Sequence, residues 1–107
     1  MVQNELMLPY RVLDLCDEKG IFCGRILADL EADVIKVEKP GGDLSRNLGP
    51  FYHDSHDPQK SLFWLAYNEN KRSITLDIER TEGKEIFKRL VRKADVVLES
   101  FPPGYMR

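Results

Sequence analysis

Four short β-branched runs, separated by segments whose apolar residues recur at helical spacing, constrain this chain more than any other feature. The runs are Tyr10-Arg11-Val12-Leu13-Asp14-Leu15, Asp33-Val34-Ile35-Lys36-Val37-Glu38, Ser73-Ile74-Thr75-Leu76-Asp77-Ile78 and Asp95-Val96-Val97-Leu98-Glu99. Apolar or alternating stretches of this length, bounded by polar residues, read as strands. Between the first two, Phe22, Ile26 and Leu30 recur every four residues, and Cys23 and Leu27 widen the stripe. Between the last two, Ile86, Phe87, Leu90 and Val91 form a second stripe. Such stripes predict helices with one buried face. Asp17 and Thr81 are placed to cap them, while Glu82 and Glu85 suit the positive end of the second helix and Arg92 and Lys93 its negative end. Strand, helix, strand, twice over, predicts an α/β fold of Rossmann-like βαβ units with a mainly parallel sheet. Ligand-facing loops are then expected at the carboxyl ends of the strands.

The two units are joined by a long passage, residues 39–72, that is rich in proline and glycine. Lys39-Pro40-Gly41-Gly42-Asp43 and Asn47-Leu48-Gly49-Pro50 are turn-forming, and Phe63-Trp64-Leu65-Ala66-Tyr67 predicts a short helix capped by Ser61. A connection of this length is usually functional or packed on something else. Its Phe51, Tyr52, Phe63, Trp64 and Tyr67 make more aromatic surface than a small sheet is expected to cover, so part of it is predicted to meet another chain.

The 107 residues suffice for one small domain, and 42% apolar with 32% charged residues is the balance of a globular protein. A net charge of −2, with Lys and Arg dispersed, predicts neither a nucleic-acid groove nor a polybasic membrane patch. No apolar run reaches the roughly 20 residues of a membrane helix. The opening Met1-Val2-Gln3-Asn4-Glu5 lacks the features of a signal peptide, so a cytoplasmic location is expected. Cys16 and Cys23 are then expected to be reduced, partly buried thiols. His53-Asp54-Ser55-His56-Asp57 has no supporting partner spacing, and no metal is expected there.

Four places carry candidate chemistry. In the turn after the first strand, Gly20 and Gly24 either let a ligand approach the backbone or let the helix pack closely on the sheet. Neither the G-x-G-x-x-G nor the Walker A pattern is present. At the end of the second strand, Glu38 suits a ribose hydroxyl and Lys39 a phosphorylated ribose; the alternative is two solvated charges. Lys71 and Arg72 offer charge-assisted bonds to a phosphate, or form a solvated turn. After the fourth strand, Ser100-Phe101-Pro102-Pro103-Gly104-Tyr105 presents aromatics on a rigid turn, suited either to a purine or to plugging the core. No Ser-His-Asp or Cys-His arrangement marks a nucleophile.

Taken together, these segments resemble the class III CoA-transferases, the family of formyl-CoA transferase and carnitine CoA-transferase. The resemblance lies in Arg11 to Leu15, Gly24-Arg25-Ile26-Leu27-Ala28-Asp29-Leu30, Ala32 to Glu38, Pro40-Gly41-Gly42-Asp43 through Arg46, Asn70 to Asp77, Glu82-Gly83-Lys84, Ala94 to Glu99 and Phe101-Pro102-Pro103-Gly104. They run in family order from about residue 8 onward. The chain departs from the family in Ile21, where a proline is usual, in Glu31, where a glycine is usual, and in Ser100, where Asn is frequent.

The resemblance implies part of a CoA-binding domain of a larger enzyme, with residues 1–107 ending before the family's catalytic aspartate. It implies an interlocked homodimer that moves CoA between acyl-CoA and carboxylic acid substrates through an aspartyl-CoA thioester. No catalytic residue is assigned to this chain. The implied CoA contacts are Gly20, Lys39, Lys71, Arg72, Ser100, Phe101 and Tyr105. Three other readings stand beside this one: an acyl-CoA racemase of the α-methylacyl type, a nicotinamide-binding Rossmann module, favoured by Glu38 but opposed by the missing G-x-G-x-x-G, and a non-catalytic interaction domain.

Overall fold

The structure, a computed structural model, describes residues 10–106. Strands β1 (Arg11–Leu15), β2 (Asp33–Glu38), β3 (Arg72–Thr75) and β4 (Val96–Glu99) alternate with helices α1 (Ile21–Asp29), α2 (Leu62–Tyr67) and α3 (Thr81–Arg92). The strands form one parallel sheet in the order β3-β2-β1-β4, the order of the first half of a doubly wound fold. Register pairs Val12 with Val34, Asp14 with Lys36, and Val12 with Val96. The expected α/β architecture and parallel sheet are therefore present.

Because side chains alternate along a strand, the sheet has two distinct faces. On one, Leu13, Leu15, Ile35 and Val37 are buried against Phe87 and Leu90 of α3 and against Ile74, Leu76 and Phe101. Each such aliphatic side chain contributes on the order of 1.5–3 kcal/mol when fully buried. On the other, Val12 and Val34 pack with Ala28, Ala32, Leu27 and Leu98 beneath α1. One step toward the carboxyl edge this second face changes character, for Asp14 and Lys36 are both fully buried there. At the amino edge, Asp33 accepts bonds from Arg11 Nε (3.0 Å) and from Arg72 Nε (2.9 Å) and Nη2 (2.8 Å). These bonds fix the starts of three adjacent strands together.

Several local expectations are corrected. The helix α1 turns Ile21, Gly24 and Ala28 inward, while Phe22 (56% exposed) and Ile26 (45%) of the expected stripe face outward. The small residues Gly24 and Ala28 let the middle of the helix approach the sheet closely. Asp17 does not cap α1. It turns back to accept from Lys19 N (2.9 Å), and Gly20 takes the cap position without a side-chain bond. Likewise Thr81 is the first residue of α3 rather than its cap. In α3, Phe87 and Leu90 face the core, but Ile86 and Val91 are exposed. The strand expected to run to Ile78 stops at Thr75 because Asp77 Oδ1 accepts from Glu79 N (3.0 Å), bending the chain into a turn. Of the two thiols, Cys16 is buried and Cys23 exposed.

The long connection folds over the same face as α1. Asp43 caps a 3₁₀ turn at Leu44–Asn47, accepting from Ser45 N and Oγ (2.9 and 2.7 Å). Ser61 caps α2, as its position predicts, by accepting from Trp64 N (3.1 Å). Trp64 is 7% exposed, with the Arg46 guanidinium 4.0 Å above its ring centroid and Lys36 Nζ 5.8 Å away. The chain therefore covers this aromatic itself, while Tyr52 of the same connection stays 54% exposed. Among the described residues no helix is long and apolar enough to cross a membrane, and no three His, Cys, Asp or Glu side chains converge as metal ligands.

Candidate functional site

The carboxyl edge of the sheet gathers the tips of all four strands. Between the tips of β1, β2 and β3 and the turn after β4 opens a small cleft. Leu15, Val37, Leu76 and Ile78 form its apolar floor, and Phe101 and Tyr105 form one wall. Their rings stack with centroids 4.3 Å apart at 29°. Lys39 and Asp43 stand on the β2 side, and Asp77 and Glu79 on the β3 side. An apolar floor with aromatic walls and a few polar groups at the rim suits a flat heterocycle bearing charged substituents. Burial pushes the Tyr105 hydroxyl above its usual pKa, and the nearby carboxylates of Glu79 and Asp77 push it the same way.

The β1 and β4 tips are tied together beside this cleft. Ser100 Oγ accepts from Asp17 N (2.9 Å) and donates to Asp17 Oδ1 (2.8 Å). Partial burial alone would raise the pKa of Asp17, but bonds from Lys19 and Ser100 outweigh it and hold the carboxyl below its ordinary range. Gly20 closes the turn so tightly that a Cβ on it would meet Cys16 Sγ at 2.8 Å and Ser100 Cβ at 3.6 Å. A side chain there would displace the Cys16 thiol.

The structure sorts the residues singled out in the sequence into three places. Lys39, Phe101 and Tyr105 share the cleft, and Gly20 and Ser100 adjoin it. Lys71 lies on the opposite face beneath α1, its side chain 1% exposed, and its Nζ donates to Asp14 Oδ2 (2.7 Å), Asn68 Oδ1 (2.9 Å) and Ile21 O (3.1 Å). Those three bonds use its whole donor capacity. Arg72 sits at the amino edge, bonded to Asp33, away from the cleft. Sequence reasoning missed Leu76, Asp77, Ile78 and Glu79 as cleft residues because Leu76 to Ile78 read as the end of a strand. The signal was Asp77 two residues before a backbone N–H it can accept, a turn-former that competes with strand. The reading also missed Asp14 and Lys36, opposite charges at matching positions of two apolar runs.

Glu38 was the residue favouring a nicotinamide cofactor. Its carboxylate is occupied: Arg46 bonds both oxygens, Nη2 to Oε2 at 3.1 Å, and Asp43 N donates to Oε1 at 2.9 Å. Burial would raise its pKa, but these partners reverse that and lower it. Three bonds already fall on this carboxylate, leaving a single acceptor position on Oε2 for a ribose hydroxyl.

Fold and site together define an α/β domain with an open cleft at the carboxyl edge of a parallel sheet. Residues 9–107 match CoA-transferase family III, and the chain belongs to that family. It is 41% identical over 97 residues to the succinyl-CoA:(R)-benzylsuccinate CoA-transferase subunit BbsE of Thauera aromatica, covering 91% of this chain and 24% of that one. It is 43% identical over 98 residues to formyl-CoA:oxalate CoA-transferase of a Bradyrhizobium species, covering 90% and 22%. Among solved structures, a CAIB/BAIF family protein from Brucella suis superposes with a TM-score of 0.75 at 41% identity, covering 87% of this chain and 25% of that one. A hypothetical protein from Mycobacterium tuberculosis gives 0.79 at 38% identity, covering 94% and 26%. The chain thus spans about a quarter of the length of these relatives.

Proposed function

We propose that the protein transfers CoA between an acyl-CoA donor and a free carboxylic acid, and that this chain supplies part of the CoA-binding surface. The cleft beside Lys39 is the observation that carries the reading. In it an apolar floor, a stacked aromatic pair and a lone exposed cation lie together, matching the purine and phosphorylated ribose of CoA. The acyl group is proposed to pass through an aspartyl-CoA thioester formed on an aspartate outside this chain. Phe22, Ile26 and Leu65, exposed on α1 and α2, support a partner subunit on that side, consistent with a homodimer.

Calorimetric titration of the full-length protein with CoA and with dephospho-CoA tests the role of Lys39. The expected result is tighter binding of CoA, with Lys39→Ala weakening CoA by about tenfold, the worth of one charge-assisted bond, and leaving dephospho-CoA unchanged. Equal affinity of the wild type for the two ligands removes Lys39 from the site. Absence of binding to either rejects the CoA reading.

A further inference from the structure

Cys16 is the first residue after β1, and both of its backbone polar groups are held by buried charges. Its N–H donates to Asp14 Oδ1 at 3.0 Å, and its carbonyl accepts from Lys36 Nζ. Asp14 and Lys36 face each other across the β1–β2 register, with Lys36 Nζ 3.8 Å from Asp14 Oδ1 and 3.8 Å from Asp43 Oδ2. The second oxygen of Asp14 accepts from Lys71 Nζ, which also donates to the carbonyl of Ile21, the first residue of α1. The Asp14 carboxylate and two ammonium groups thus grip the β1–α1 turn at both ends. Between those ends lie Asp17, bonded to Ser100 of the β4 tip, and Gly20.

Stability alone does not explain this cluster. Buried ion pairs gain little over well-packed apolar side chains of similar volume, because desolvation offsets their attraction. The same face accommodates the apolar pair Val12 and Val34 two residues earlier. What an apolar pair cannot do is bond the carbonyl and amide of a chain leaving the sheet. Charged groups fixed by several partners each do so with defined geometry.

We propose that Asp14, Lys36 and Lys71 are positioning residues: they set the β1–α1 turn against the tip of β4 and so fix the surface on which CoA lies. The proposal rests on the CoA reading above and assigns Lys71 a role through Asp14 rather than a phosphate contact.

The test uses the full-length protein carrying Lys71→Met, Asp14→Asn with Lys71→Met, or Asn68→Ala. Lys71→Met removes the nearer of the two ammonium groups beside the buried Asp14 carboxylate and serves as the destabilised reference. The double variant removes both charges, and its melting temperature is expected to recover most of the loss. Its affinities for CoA and dephospho-CoA are expected to fall together by roughly tenfold, the cost of misplaced contacts, with KM rising more than kcat falls. Amide exchange in residues 16–21 is expected to speed up while α3 is unchanged. Asn68→Ala removes one of the three acceptors of Lys71, on a half-buried residue outside the cleft, and is expected to shift affinity and exchange the same way, more weakly. It decides the matter if the double variant does not fold. Wild-type affinity and exchange in the variants that fold overturn the proposal. So does a loss confined to CoA, which makes Lys71 a direct phosphate ligand. If the wild type binds no CoA, the functional reading has failed, and the exchange measurement alone judges the positioning role.

Discussion

Gly24 of α1 passes directly over the Asp14 carboxylate: a Cβ placed on Gly24 would fall 2.3 Å from Asp14 Oδ2 and 3.1 Å from Lys71 Cε. Helix, buried carboxylate and buried ammonium therefore share one contact point. The glycine is there because α1 crosses directly above a fully buried carboxylate and leaves no room for a Cβ. Of the two roles open to Gly24 in the sequence, close packing is the one the geometry supports.

Gly24→Ala is expected to destabilise the full-length protein by about 1–3 kcal/mol, the usual cost of overpacking, even though alanine is the better helix former. Thermal or urea unfolding measures it. A gain in stability would show that α1 can lift without cost and that the Gly24–Asp14 contact is not tight in solution.

The two thiols are expected to react very differently. Burial, reinforced by the charge of Asp14, pushes Cys16 up to about 11, so at pH 8 only about one molecule in a thousand carries its thiolate. Cys23 is exposed. Brief treatment with iodoacetamide at pH 8, followed by peptide mapping, should label Cys23 and spare Cys16 until the protein is denatured. Comparable labelling of both in the native protein would mean that the β1–α1 turn opens readily, contrary to its many bonds.

Acid should loosen the connections at both ends of β2. Partial burial would raise the pKa of Asp33, but bonds from Arg72 and Arg11 prevail and hold it below the ordinary value; Glu38 is lowered in the same way by Arg46. A carboxylate depressed in the folded state contributes stability that is full above its unfolded pKa and lost as pH falls through its folded pKa. With unfolded values of about 3.9 and 4.3, stability is expected to hold down to about pH 5 and to decline below it. Glu38→Gln should lower stability at neutral pH and flatten that decline. An unchanged slope in acid would show that the Arg46 pair does not persist in solution.

The sheet was legible because strand and helix periods differ and the apolar runs were short and clean. The side-chain detail was less so, for identifiable reasons. The α1 stripe of Phe22, Ile26 and Leu30 is a sound helical period on the wrong face, since hydrophobicity alone cannot say that Asp14 lies beneath the helix and admits only Gly24 there. Lys71 and Arg72 are adjacent in sequence yet point to opposite ends of the fold, one to Asp14 and the other to Asp33. Each partner lies in another strand, at a separation no local pattern encodes. Lys39, Phe101 and Tyr105 could be placed near one another because all follow the carboxyl ends of parallel strands, a consequence of topology.

The end of α1 offers a stabilising change. Ala32 N donates to Leu27 O and Glu31 N to Ala28 O, both at 3.1 Å, the paired bonds of a Schellman cap. That cap puts its C′ residue in the left-handed region, and here the residue is Glu31, with φ +80°. An L side chain in that region costs roughly 1–2 kcal/mol, while glycine gives back about 0.5–1 kcal/mol through its freer unfolded chain. The carboxylate also sits at the negative end of the helix, an unfavourable place for it. Glu31→Gly is therefore expected to stabilise the full-length protein by about 1 kcal/mol, read as a higher melting temperature with CoA binding unchanged. Glu31→Ala separates the causes, because it removes the charge but keeps the Cβ, and it should recover only a few tenths of a kcal/mol. Equal gains in the two variants would assign the effect to charge. No gain with glycine would mean that the left-handed turn is relieved in solution by a shift the static structure does not contain.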